Sequence, residues 1–276
     1  MDVGIFETVF NAPTLAGRLD LVREHGVRCL QFDLGSAGIK KFSRDLTETR
    51  CAEIRIALAN RGIAMTAVSG TFNMAHPDPA HRFDGLVEFQ ALAQHCQFLG
   101  TSVITLCTGT RNLQSMWAPD PENNSPEAWT DLRATMEQAL KIAESCNVTL
   151  AMEPEVSNVI DSPKKARRLI DELKSKRLKI VMDGANIFHL GELPKMREIL
   201  DEAFDLLGND IALGHAKDLD HDGAAGHLAA GEGKLDYNYY LAGFKRVKFD
   251  GALILHGLTH VQAPKCLQFV REKLKQ

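Results

Sequence analysis

Residues 149–186, TLAMEPEVSNVIDSPKKARRLIDELKSKRLKIVMDGAN, contain the passage that decides the fold. A short apolar run from Thr149 to Glu153 is followed by Ser162 and Pro163, which read as a helix N-cap and a proline at the first helical position. A helical segment comes next, and then a second apolar run from Lys179 to Asp183. Strand, helix and strand at this spacing is the pattern of parallel strands joined by a crossover helix.

The same alternation continues outward in both directions. Further strands are expected at Val3–Phe6, Val27–Phe32, Ile63–Val68, Ser102–Cys107, Ile211–His215 and Ala252–His256, each followed by room for a helix. Eight such units predict an α/β protein with a single (β/α)8 TIM barrel, one domain over residues 1–276. After the third strand, Leu86, Phe89, Leu92, Ala93, Cys96 and Leu99 fall on one helical stripe that should face the sheet, while Asp84, Glu88 and Gln94 fall elsewhere. Ser125 before Pro126 marks another helix start. An open, doubly wound sheet would alternate similarly, but it usually carries a glycine-rich strand-to-helix turn, and no GxGxxG follows the first strand.

Composition narrows the function classes. At 276 residues, 45% of them apolar, the chain can bury one large core but is short for two α/β domains. Its 32 Lys and Arg against 36 Asp and Glu give a formal charge of −4, so nucleic acid is not an expected partner. No apolar stretch approaches the roughly 20 residues that span a bilayer, and the first residues do not resemble a secretion signal. No membrane association and a cytoplasmic location are therefore expected. The cysteines at 29, 51, 96, 107, 146 and 266 form no CxxC pair and read as reduced, mostly buried thiols.

Four consecutive strands end on groups that are costly to bury without a partner. They stop at Glu153, Asp183, His215 and His256. Neighbouring barrel strands share a direction, so these side chains can converge at one rim. Two carboxylates and two imidazoles suit one divalent metal ion, with Mn, Fe, Co, Zn and Mg all open. Each residue also has a plainer reading: a rim histidine held by a hydrogen bond, or an aspartate serving the turn at Asp183–Gly184. The joint placement on four adjacent strands is what favours a metal.

At these residues the chain resembles the xylose-isomerase-like superfamily of sugar phosphate isomerases and epimerases. Glu153 in MEPE, Asp183 in MDGAN and His215 in GHAKD look like the metal-binding residues of that superfamily's fifth, sixth and seventh strands, and the GEG at Gly231 to Gly233 resembles the segment before its last helix. The departure is on the eighth strand, where LILHGL offers His256 in place of a second glutamate, a change similar to that of a branch carrying TGTR, EPE and HAKD. Asn186 also stands where family epimerases often have a histidine.

The resemblance implies a sugar or sugar-phosphate isomerase or epimerase acting through an enediolate, with Glu153 as base and His256 as ligand, acid or base. A metal-dependent dehydratase or lyase on a related keto-sugar or keto-acid needs only one base and stays open, as does a non-catalytic sugar-binding barrel. A metal-dependent endonuclease of the same superfamily would be expected to show more histidines and a basic face, and the sequence offers neither. The expected partner is a small carbohydrate or its phosphate, and homo-oligomer assembly is open.

Substrate contacts are sought in the long segments after strand ends: Gly70 to Pro79, Thr108 to Asn124 and Lys217 to Lys234. Arg111 is placed either to clamp a phosphate or carboxylate or to sit solvated on the surface. Glu155, Asn186, Lys217 and His76 are further substrate-binding candidates, with Asn73 beside them, and Lys217 has Asp218 as an alternative partner. The stretch from Trp117 to Asn124 lacks a helical or strand period and reads as a lid or an inert loop.

Overall fold

The computed structural model describes Met1 to Gln276 and forms a closed barrel of eight parallel strands in chain order. The strands are β1 (Asp2–Phe6), β2 (Cys29–Phe32), β3 (Ala64–Ser69), β4 (Val103–Cys107), β5 (Thr149–Glu153), β6 (Leu178–Asp183), β7 (Ile211–Ala216) and β8 (Ala252–Leu255). Around them lie α1 (Leu15–Glu24), the single turn α2 (Phe42–Asp45), α3 (Glu48–Ala59), α4 (Pro79–Leu99), α5 (Pro126–Cys146), α6 (Pro163–Leu173), α7 (Met196–Leu207), α8 (Tyr237–Arg246) and α9 (Ala263–Leu274). No helix is long and apolar enough to cross a membrane. All six cysteines are free, and all but Cys146 are buried.

The eight-unit reading holds, with differences at strand edges. β2 begins at Cys29 rather than Val27, because the Val27 N–H donates to the Val22 carbonyl and is spent closing α1. β3 is shifted one residue towards Ser69, and β8 stops at Leu255, so His256 lies just past the strand. The segment expected to lack regular structure contains a 3-10 turn over Pro121–Asn124, started by Asp120 accepting from the Glu122 N–H.

Helix boundaries follow local chemistry. Ser125 accepts from Ala128 N at 3.1 Å and Ser162 from Lys165 N at 3.5 Å, which fixes the starts of α5 and α6. Gly100, at φ +83°, ends α4 in the left-handed conformation that glycine adopts without strain. The stripe from Leu86 to Leu99 is buried along α4 as its period requires. Fully burying one such side chain contributes roughly 1.5–3 kcal/mol, so the helices are held mainly by this packing.

A smaller apolar layer fills the barrel itself, formed by Cys29, Ala67, Ala151, Val181, Leu213, Ala252 and Ile254. Side chains alternate along a strand, so the residue two positions further on points into the same lumen, one layer higher. That step leads from Ala151 to Glu153, from Val181 to Asp183, from Leu213 to His215 and from Ile254 to His256. It also leads from Cys29 to Gln31 and from Ala67 to Ser69. A polar layer thus sits on an apolar floor at the C-terminal end of the barrel.

Candidate functional site

Glu153, Asp183, His215 and His256 converge in this layer, each offering one donor atom within 4.8 Å of the others. Asp183 and His215 are directly paired in register across β6 and β7. The His215 Nδ1 lies 3.3 Å from Glu153 Oε2 and 3.9 Å from Asp183 Oδ2, while His256 Nε2 lies 3.5 Å from Asp183 Oδ2. Donors about 2 Å from a common ion stand roughly 3.3 Å apart in a tetrahedron, so the spacing suits a first-row divalent ion.

The unpaired atoms point the same way. Asp183 Oδ2, His215 Nδ1 and His256 Nε2 are buried and make no hydrogen bond. Each such atom costs roughly 1–3 kcal/mol, and three directed at one point are poorly explained by packing alone. A divalent cation would satisfy all three, and the chemistry of the donor set fits one.

The groups around the donors orient them. Gln31 donates through Nε2 to Ser69 Oγ at 3.1 Å and Thr105 Oγ1 at 2.9 Å. Its Oε1 is then left to accept from His215 Nε2 at 2.8 Å, which in the neutral form of the imidazole, the form that binds a metal, puts the proton on Nε2 and a lone pair on Nδ1. Behind the strands, Tyr240 Oη donates to the carbonyls of Met182 and His215. Gly184 leaves room for that ring, since a Cβ there would meet Tyr240 Cε2 at 2.8 Å. Asp183 Oδ1 accepts from Ala185 N at 2.9 Å, which turns Oδ2 towards the imidazoles.

Electrostatics sets the protonation states. Burial raises the pKa of the Glu153 and Asp183 carboxyls, but His215 at Glu153 and Lys217 at Asp183 outweigh it and hold both below the ordinary range. Burial, with repulsion from His215 and Lys217, pushes His256 down to about 4, which leaves a neutral imidazole suited to ligation near neutral pH. Burial opposes the Lys217 ammonium, yet the carboxylates of Asp183, Glu153 and Glu155 raise its pKa above the usual lysine value. Glu155 is pushed up to about 7 by burial and by the nearby Glu153 charge.

Glu153, His215 and His256 line a cavity of about 440 Å³, a size suited to a small metabolite. Glu155 and Lys217 line it, Trp117 also lines it and is 55% exposed, and Phe6 and Asp33 contribute from the ends of β1 and β2. The loop bearing Trp117 is anchored by buried Asn123, which accepts from Arg111 N and donates to the Ser157 carbonyl.

Other candidates lie elsewhere. Arg111 turns away from the cavity to pair with Asp131 at 2.6 Å and to donate to the Ala75 carbonyl, because α5 presents a carboxylate on that side. Asn186 is fully buried and does not line the cavity. Its amide donates to Glu153 Oε1 at 2.6 Å, and its carbonyl oxygen accepts from Lys217 Nζ and Gly226 N. His76 accepts from Asp78 N and stacks on His81 outside the cavity. Asn73 ties two loops together through Thr110. Lys217 does not pair with Asp218, whose carboxylate accepts the N–H groups of Leu219, Gly231 and Leu235 instead. Gln31 was absent from the sequence-based candidates, although an amide in the middle of the apolar run Cys29–Phe32 is the same kind of signal as a charge at a strand end.

With this geometry in place, comparison with known proteins gives a consistent result. The sequence profile of the family described as xylose isomerase-like TIM barrel matches residues 19–270. Among solved structures, a D-tagatose 3-epimerase-like protein superposes with a TM-score of 0.80 at 16% identity, over 100% of this chain and 97% of that one. D-psicose 3-epimerase from Clostridium cellulolyticum H10, solved with D-tagatose, gives 0.75 at 16% identity over 99% of both chains. An IOLI protein with a bound zinc atom gives 0.74 at 16% identity, over 99% of this chain and 96% of that one. At these identities the likeness is one of fold.

Proposed function

The chain belongs to the xylose isomerase-like TIM-barrel family, and from that membership we propose that it is a divalent-metal-dependent isomerase or epimerase of a small sugar or sugar phosphate. The observation that carries this reading is the convergence of Asp183 Oδ2, His215 Nδ1 and His256 Nε2, all buried and without a hydrogen bond, together with the carboxylate of Glu153. The epimerase neighbours and the zinc-bearing neighbour support it.

Glu153, Asp183, His215 and His256 would hold the ion. Such an ion supplies polarisation of a substrate carbonyl and offsets the negative charge that develops when the adjacent C–H proton leaves. Glu153 takes that proton. Its carboxyl is held ionised, it faces the cavity, and Asn186 fixes its Oε1. Lys217 adds a positive charge on the same wall, where substrate oxygens gain negative character. Glu155, with a pKa near neutrality, binds a substrate hydroxyl or passes it a proton.

His256 bears on the choice between reactions. Its Nε2 is directed at the donor cluster, so the other ring nitrogen faces a different direction and is poorly placed to return a proton to the same carbon. A single base suffices for proton transfer between adjacent carbons, and also for elimination of a hydroxyl next to a carbonyl. The missing second carboxylate therefore favours isomerisation over epimerisation, and makes a dehydratase acting on a related keto-sugar or keto-acid the second reading.

The test is to incubate metal-loaded protein with a panel of ketoses, keto-acids and their phosphates and identify products by NMR. An isomer, epimer or dehydrated product that is absent with a chelator and absent with Glu153→Gln supports the proposal. Turnover that persists in Glu153→Gln overturns the assignment of the base.

A further inference from the structure

The segment between β7 and α8 carries a second cluster of metal-ligating side chains, separate from the barrel lumen. Asp220, His221 and His227 each offer a donor atom within 4.8 Å of the others. The His221 Nδ1 meets Asp220 Oδ1 directly, and His227 Nε2 lies 3.5 Å from that same oxygen. The two imidazoles are 5.0 Å apart between ring centroids. Their side chains are about half exposed, at 53% for Asp220, 59% for His221 and 48% for His227.

Backbone geometry brings them together. Asp218 and Leu228 form an isolated antiparallel bridge, with Asp218 N donating to Leu228 O at 2.8 Å and Leu228 N to Asp218 O at 3.0 Å. This bridge closes the neck of an excursion, and the three residues stand just above the neck. Beyond them the chain reaches inward. Gly223 N donates to Phe188 O, Ala225 lines the cavity, and Gly226 N donates to Asn186 Oδ1, whose amide holds Glu153.

We propose that Asp220, His221 and His227 form an exposed binding site for a first-row divalent cation, of the zinc, nickel or copper type, that clips the neck of this loop. Two imidazoles and a carboxylate are a common three-ligand set for such ions, and the remaining positions are open to water. Binding at the neck restrains both ends of residues 222–226 and so stabilises the conformation in which Ala225 lines the cavity and Gly226 N holds Asn186. This inference goes beyond the proposed function and is independent of it, since it needs no ligand from the barrel lumen.

The probe is Zn²⁺ alone, bound to stripped full-length protein by equilibrium dialysis at micromolar free metal. Wild type is compared with His221→Ala/His227→Ala, whose exposed positions leave the core untouched. Wild type is expected to hold one more Zn²⁺ per chain than the double variant, whatever the buried site contributes to both. Hydrogen exchange of residues 219–230 should slow on Zn²⁺ addition in wild type and stay unchanged in the variant. Equal stoichiometry in the two proteins, or exchange in this segment that ignores Zn²⁺, overturns the proposal.

Discussion

Gln31, on β2, accepts at Oε1 the hydrogen bond from Nε2 of His215, on β7, at 2.8 Å across the barrel lumen. The contact leaves the His215 Nδ1 lone pair facing Glu153 and Asp183. Replacing Gln31 by Leu removes the acceptor that fixes this tautomer. Losses of this kind typically cost 10–100-fold in metal affinity, so a fall of about that size is expected in a metal titration with the fold retained. Unchanged affinity would show that Gln31 does not orient the ligand.

Metal binding should stabilise the fold, because the four donors are assembled only in the native state. At 100 times the dissociation constant the gain is about 2.7 kcal/mol, or a rise in Tm of several degrees for a chain of this size. Chelator should reverse it. Asp183→Asn removes one of the four donors, and made in the His221→Ala/His227→Ala background its melting curve should no longer respond to added metal, whereas that background alone should; a response of Asp183→Asn equal to that of its background would place the ion elsewhere.

Glu7 predicts a pH effect on stability. Its carboxyl is fully buried after β1, where it accepts from the Asp33 N–H, and burial pushes it up to about 8 from an ordinary 4.5. In this window the folded chain keeps a proton that the unfolded chain has lost. Its contribution is therefore present in full below pH 4.5 and is lost as pH rises towards 8, with a slope of up to about 1.4 kcal/mol per unit. Glu7→Gln stays neutral throughout, so the difference in Tm between wild type and variant should move in the variant's favour between pH 5 and pH 8. A constant difference would mean that Glu7 titrates normally.

The barrel and its four convergent strand ends were legible in the sequence because both rest on local periodicity. Apolar runs that stop on Glu153, Asp183, His215 and His256 marked four adjacent strand ends, and the Ser–Pro pairs at 125 and 162 marked helix starts. Partner choice was not legible. Whether Arg111 faces substrate or protein depends on Asp131, a helix turn on α5 that meets it only in the folded chain. Asn186 looked like a substrate contact for the same reason: its partners, Glu153 at the end of β5 and Lys217 and Gly226 in the segment after β7, meet it only in the folded chain. Gln31 was within reach of the rule applied to strand ends, since a buried amide inside an apolar strand also demands a partner.

Arg111→Ala tests that reassignment. The guanidinium is spent on Asp131 and Ala75, so the variant should lose about 1 kcal/mol of stability while KM stays within twofold of wild type. A large rise in KM with little change in Tm would return Arg111 to the substrate.

The central claim, proton abstraction by Glu153 next to a substrate carbonyl, is tested most directly by deuterium exchange. Metal-loaded protein is incubated in D₂O with the substrate panel, and label at the carbon beside the carbonyl is followed by NMR or mass spectrometry. Incorporation in wild type that disappears in Glu153→Gln is the result expected. Incorporation or product formation that survives in Glu153→Gln at the wild-type rate would contradict the account.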